Sequence, residues 1–273
     1  MSATAKPDAK ITAATLRARK GTAEKTVLLT AYDVVFARLA DEAGVDAVLV
    51  GDSMGMVVQG ERSTVGVTVD DVVYHTRIVS RGLARAHLIA DMPFMSYQAS
   101  VEDGMRAAGR LIKEGHAEAV KLEGGEEVAE LTRRLVRAGI PVVGHVGLTP
   151  QSIHQIGGFK VQGRTEPQRA KVLADAQAVS EAGAYAVVLE AVPHALAADI
   201  TKSIAALTIG IGAGADCDGQ VMVMHDLLGL QPAWKPRFVR RYAELGKAAG
   251  DAFAAYAADV RAGRFPSREE TYE

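Results

Sequence analysis

The chain has 273 residues, 48% of them hydrophobic, enough for one large α/β core or two small domains. Its 31 basic and 33 acidic residues leave a formal charge of −2 and form no basic block, which argues against nucleic acid as a partner. A single cysteine, Cys217, excludes an intrachain disulfide and fits a reducing compartment.

The first ten residues, "MSATAKPDAK", lack an apolar core and do not read as a signal peptide. "KITAATLRARKG" (10–21) is expected to form an extra helix ahead of the first strand. Short β-branched apolar runs then alternate with Ala-rich helical stretches. "TVLLTAY" (26–32) reads as a strand and 34–44 as a helix closed by Gly44. "DAVLVG" (46–51) is the next strand, the Gly- and Met-rich stretch after Asp52 and Ser53 reads as a loose loop, and 68–82 is a helix whose Thr68 and Asp71 are spaced as a capping box. Strand 86–94 is stopped by Pro93, and helix 101–115 is ended by Gly115. Strand 117–125 precedes helix 126–139, which has acids in its first turn and arginine in its last, as the helix dipole prefers. Strand 140–147, helix 167–183, strand 184–192 and helix 194–205 follow. Strands 207–214 and 219–226 complete the set, and 235–262 is mostly helical. No apolar run approaches the roughly 18 residues of a membrane-spanning helix, so a soluble, cytoplasmic protein is expected.

Continuous apolar strands alternating with helices indicate a parallel sheet buried on both faces. Eight of them in one chain favour an α/β fold of the closed (β/α)8 barrel type, a TIM barrel. A doubly wound open sheet usually carries G-x-G-x-x-G after its first strand, and "TAYDVV" is unlike it. With no linker-like break, residues 1–273 read as one barrel domain with an N-terminal helix and a C-terminal helical extension. The long polar stretch 147–166 follows a strand end, where barrel enzymes carry active-site loops.

The carboxyl ends of all barrel strands open onto one face. They deliver Asp52 and Ser53, Asp91, Lys121 and Glu123, His145, and Glu190. Lys121 and Glu123 are two apart and project from the same side of their strand. Any one of these residues could simply begin a loop. Converging together, four carboxylates repel unless a cation compensates them, and carboxylate oxygens select Mg²⁺ or Mn²⁺. There is no Cys cluster or His-x-x-x-His pair for structural zinc. The weaker candidates are "GIGAG" (210–214), an anion nest or a packing device, His75 as a packing histidine, and His225 with Asp226 in a structural role.

The motifs "VLVGDSMGMVVQG", "ADMPFMSY", "AVKLEGG", "GHVGLTPQS", "GFKVQGR", "VVLEAVP", "IGIGAG" and "DGQVMVMHD" occur in this order. Together they resemble the ketopantoate hydroxymethyltransferase family over residues of about 10 to 266. The resemblance implies a (β/α)8 barrel of the phosphoenolpyruvate/pyruvate type and a homo-oligomer, usually a decamer. It implies transfer of a hydroxymethyl group from 5,10-methylenetetrahydrofolate to 3-methyl-2-oxobutanoate, the first step of pantothenate biosynthesis. It further implies one Mg²⁺ per subunit at Asp52, Asp91 and Glu123, substrate contacts from Asp52, Ser53, Asp91 and Lys121, and Glu190 as general base. Those partners are small molecules, with neither nucleic acid nor membrane. Two alternatives are a carbon–carbon lyase of the isocitrate lyase or phosphoenolpyruvate mutase type, against which the absence of a Cys-bearing loop counts, and a non-catalytic anion-binding barrel.

Overall fold

A computed structural model describes residues 9–231 and 236–272. The chain divides into two compact units, Met1–Met222 and Val223–Glu273.

Eight parallel strands close the first unit into a barrel in strict chain order. They are β1 (Thr26–Thr30), β2 (Ala47–Val50), β3 (His87–Asp91), β4 (Ala119–Glu123), β5 (Val142–Gly147), β6 (Ala186–Glu190), β7 (Leu207–Ile211) and β8 (Gly219–Met222). Helices α1 (Ala13–Arg17), α2 (Val34–Glu42), α3 (Met54–Val57), α4 (Val69–Ser80), α5 (Val101–Lys113), α6 (Ala129–Arg137), α7 (Ile153–Ile156), α8 (Glu166–Glu181) and α9 (His194–Ser203) complete the unit. The expected barrel is therefore the observed fold.

Strand periodicity separates two cores. Leu28, Ala47, Leu49, Ile89, Ala119, Val143, Ala186, Val188 and Ile209 fill the barrel interior. The alternate residues, among them Val48, Leu88, Val120, Leu122, Val187 and Leu189, pack outward with helix residues such as Leu111, Leu135 and Leu196. Each such large side chain, fully buried, stabilises the fold by roughly 1.5–3 kcal/mol. Because successive side chains point to opposite faces, two-residue steps up from the interior positions reach the mouth at Asp91, Lys121, Glu123, His145 and Glu190. Register then sets their neighbours: Asp91 is level with Lys121, and Glu123 with His145.

The helix before β1 is α1, with the Thr12 hydroxyl accepting from Thr15 N. Ile11 and Leu16 join the interior core from below, and Ile11 N donates to Arg85 O at 2.8 Å. The capping box of α4 is present, Thr68 N donating to Asp71 Oδ2 at 2.9 Å and Asp71 N to Thr68 Oγ1 at 3.2 Å.

Several expected strands stop early. The seventh ends at Ile211 because Gly212 and Gly214 take positive φ, and the eighth at Met222. The stretch after Asp52, expected to be a loose Gly-Met loop, is the helical turn α3. Its Met54 is fully buried, and a Cβ on Gly55 would lie 2.7 Å from Val67 Cγ2. The stretch 147–166 is not wholly irregular, since it holds a 3-10 turn, Pro150–Ser152, and α7.

The second unit contains α10 (Met224–Leu227) and α11 (Leu245–Arg261). The helical reading of 235–262 holds from Leu245 onward, and position 235 lies outside the described residues. Most of the segment 1–10, read as lacking a signal peptide, also lies outside them. No helix among the described residues is long and apolar enough to cross a membrane.

Candidate active site

At the mouth of the barrel Asp52, Asp91, Lys121, Glu123 and His145 are all buried. Asp52 follows the end of β2 through Gly51, where a Cβ would meet Ser53 Oγ at 2.9 Å and Asp91 Oδ2 at 3.3 Å. The glycine lets the Asp52 amide approach Asp91, and Asp52 N donates to Asp91 Oδ2 at 3.0 Å. Lys121 Nζ lies 2.5 Å from Asp91 Oδ1.

A second line of charge runs across the mouth. His145 Nδ1 is 3.2 Å from Glu123 Oε1, and His145 Nε2 is 3.2 Å from Glu190 Oε2. The imidazole thus joins carboxylates from two other strands. Glu190 is the more open of the two, with 17% of its side chain exposed.

These neighbours shift the ionisation of every buried member. Burial raises Asp52 well above its usual range, and the charges of Asp91 and Glu123 add to it. Burial also raises Asp91, although Lys121 opposes it. For Lys121, burial disfavours the ammonium, but Asp91, Glu123 and Asp52 together raise its pKa. Burial would raise Glu123, yet His145 and Lys121 hold it below its usual value. Burial and the Lys121 ammonium work against a protonated His145, while Glu123 and Glu190 carry it up to about 9. The cluster is therefore acid-rich, buried and cation-seeking.

All the strand-end acids predicted from sequence meet here except Glu190, which joins the cluster through His145. Ser53 stands beside it, its Oγ 2.8 Å from Tyr32 Oη. Sequence reasoning missed Gln151, which is buried and ties the cluster together. Its Nε2 donates to Asp52 Oδ2 and to Met92 O, both at 2.9 Å. Its backbone N donates to Glu123 Oε2 at 3.0 Å. Tyr97 was missed too. Its Oη donates to Gln151 Oε1 at 2.8 Å and accepts from Glu123 N at 3.0 Å. The only signal was their place in "GLTPQS" and "ADMPFMSY" beside strand ends.

Two of the weaker candidates, the 210–214 glycines and His75, make close contacts within the fold. A Cβ on Gly210 would lie 3.0 Å from Cys217 Sγ, and one on Gly214 would lie 2.7 Å from His194 Cβ. His75 Nδ1 lies 2.7 Å from Tyr32 O, bracing the segment after β1.

The cluster suits a hard cation. Asp91 Oδ1 and Glu123 Oε1 are buried oxygens with no hydrogen bond, although a cationic side chain stands beside each. Among the described residues no three His, Cys, Asp or Glu side chains enclose a point closely enough to cage an ion.

Fold and site together define a (β/α)8-barrel enzyme with a buried acid–base cluster at the carboxyl ends of its strands. A profile of the ketopantoate hydroxymethyltransferase family matches residues 10–268. The 3-methyl-2-oxobutanoate hydroxymethyltransferase of Syntrophotalea carbinolica is 55% identical over 253 residues, 93% of this chain and 95% of that protein. The enzyme of the same name from Anaeromyxobacter sp. strain K is 53% identical over 270 residues, 97% of this chain and 88% of that protein. The fold is also that of phosphonopyruvate hydrolase, solved in complex with oxalate and Mg²⁺, with a TM-score of 0.62 at 14% identity over 95% of this chain and 93% of that chain. The chain belongs to the ketopantoate hydroxymethyltransferase family and is a transferase.

Proposed function

We propose that this enzyme forms the enolate of 3-methyl-2-oxobutanoate at the barrel mouth and transfers to it the methylene carbon of 5,10-methylenetetrahydrofolate, giving 2-dehydropantoate in pantothenate biosynthesis. The carrying observation is the division of the cluster. Asp52, Asp91 and Lys121 form one side, and Glu190 stands on the other side of His145, free of them.

On this reading Asp52 and Asp91, with Glu123 beside them, would hold Mg²⁺. The bound ion supplies Lewis acidity toward the keto oxygen and the carboxylate of the substrate. Lys121 places positive charge beside the oxygen on which negative charge develops. The Ser53 hydroxyl, oriented by Tyr32, donates to the substrate carboxylate. Glu190 takes the proton from C3, a role typically worth 10²–10⁴-fold. His145 orients Glu190 and keeps its charge balanced. C3 then bonds to the methylene carbon as one of its two carbon–nitrogen bonds to the folate breaks, water adds its oxygen to that carbon as the second breaks, and the two nitrogens take up the protons released from C3 and from the water as tetrahydrofolate leaves.

Proton NMR of 3-methyl-2-oxobutanoate in D₂O tests this. Metal-dependent loss of the C3 proton signal, followed by 2-dehydropantoate once the folate is added, is the expected result. Folded, metal-loaded enzyme giving neither exchange nor product would overturn it. The same reading makes the protein one continuous barrel domain with its helical extension, working in the cytoplasm as a homo-oligomer. The decamer that the resemblance implies is open to sedimentation measurement.

A further inference from the structure

Round the rim of the barrel, four successive strands turn an ionisable side chain inward near their carboxyl ends: Asp91 on β3, Glu123 on β4, His145 on β5 and Glu190 on β6. The next strand breaks the series. β7 ends in Ile211, which belongs to the apolar interior of the barrel with Leu207 and Ile209, so its side chain also faces inward. Register sets Ile211 level with Glu190, and adjacent strands run about 4.8 Å apart. The residue level with Glu190 on the other side is Gly147, which has no side chain. Of the two residues level with Glu190, Ile211 alone has apolar surface to offer.

Ile211 is also open toward the mouth. Within the interior cluster, among the described residues, it is the most exposed at 9%, and Leu49 follows at 7%. Leu49 lies under the turn into Asp52, since a Cβ on Gly51 would stand 3.8 Å from its Cδ2. The apolar interior thus reaches the mouth at two places, and the one at Ile211 adjoins the proposed base. Glu190 Oε2 stands 3.2 Å from His145 Nε2, so that carboxylate leans toward β5 and leaves Ile211 uncovered. A β-branched side chain in a strand has a restricted χ1, which makes Ile211 a fixed wall.

We infer that Ile211 is the specificity-determining residue for the alkyl end of the 2-oxo acid, a wall that the methyl groups on C3 pack against and that limits how large a branch the site accepts. The inference rests on the function proposed above, because it concerns the first substrate of that reaction. Transfer of the C3 proton to Glu190 brings C3 to within about 3–3.5 Å of that carboxylate. The keto and carboxylate oxygens are directed to Asp52, Asp91 and Lys121, which give no apolar surface, and His145 closes the β5 side. The methyl groups, fixed to C3, are left facing β7. A methylene gained or lost against such a wall is typically worth about 10-fold or more in kcat/KM.

The test compares 3-methyl-2-oxobutanoate with 3-methyl-2-oxopentanoate, one methylene longer, in the wild type, Ile211→Val and Ile211→Ala. Exchange of the C3 proton in D₂O with Mg²⁺ present, followed by NMR, gives kcat/KM for each acid, since each carries a single proton on C3. The ratio of the two is the readout, because a loss of packing alone lowers both acids together. Ile211→Ala is expected to shift the ratio toward the longer acid by roughly tenfold or more, and Ile211→Val to shift it the same way by less. Thermal melts identify the folded variants, and Ile211→Val, which removes a single methylene, decides the matter where the alanine variant does not fold. Folded variants that keep the wild-type ratio would overturn the role of Ile211 while leaving the function standing. A wild type that exchanges neither acid would overturn the function, and the role of Ile211 with it.

Discussion

The Gln151 carboxamide donates to Asp52 Oδ2 at 2.9 Å across 99 positions of sequence. Its backbone amide donates to Glu123 as well. One residue on the turn after β5 thus sets the distance between carboxylates delivered by β2 and β4. Buried acids of like charge do not stay in register without such a tie, and outer-shell partners of this kind commonly change metal affinity by about 10–100-fold.

Replacing Gln151 by alanine should therefore weaken Mg²⁺ binding by about tenfold or more while the barrel stays folded. Calorimetric titration of Mg²⁺ into the metal-free enzyme, beside a thermal melt, checks it. An unchanged Mg²⁺ affinity would show that Asp52 and Glu123 need no tie.

Glu190→Gln removes the proposed base without touching the Asp52–Asp91–Lys121 side. Exchange of the C3 proton should fall by at least ~10²-fold, with Mg²⁺ affinity within a factor of about two of the wild type. Deuterium incorporation followed by NMR distinguishes this from a lost metal site. Persistent exchange would move the base role to another group.

Lys121→Met strips Asp91 of its cation inside a buried site. Breaking a buried pair by removing one partner typically costs about 3–5 kcal/mol, so the metal-free variant should melt well below the wild type. Added Mg²⁺ should raise its Tm more than it raises the wild type's, because the ion restores the missing positive charge. A variant that melts with the wild type, or gains nothing from Mg²⁺, counts against the arrangement.

His145 gives the metal-free protein a pH signature. Burial opposes its charge, but Glu123 and Glu190 lift its pKa from 6.5 to about 9. A pKa raised in the folded state means the folded protein binds the proton more tightly. The resulting stability is complete below pH 6.5 and is lost as pH rises through about 9. Urea unfolding at about pH 6 and about pH 10 should show a drop in the wild type, on the order of 1–3 kcal/mol, that His145→Gln lacks in the same window. Parallel pH profiles for the two proteins would exclude a charged His145.

The barrel was legible because its signals are local. Apolar runs such as "AVLV" end in glycine or proline, and helices such as α4 carry their caps within four residues. The two-residue strand period was enough to place Lys121 and Glu123 on one face without any structure. It also brought Asp91 and Glu190 to the same rim. What the period does not contain is the offset between strands, and so the levelling of Asp91 with Lys121 and Glu123 with His145 was out of its reach. The Gly-Met turn misread as a loop shows the same limit, since α3 owes its helicity to the burial of Met54 and the close approach of Val67 to Gly55.

By itself, then, the sequence determined the alternation of strands and helices, the closed barrel, and the set of ionisable side chains presented at one rim. Tertiary structure alone decided how those side chains are joined. Gln151 and Tyr97 are neutral residues, one in a short 3-10 turn and one in a loop, with no periodicity to mark them, and their roles come from a barrel closure that brings positions tens of residues apart into hydrogen-bond contact. The charge state of His145 was decided there too, because it depends on two carboxylates from other strands and on burial that only the closed barrel imposes.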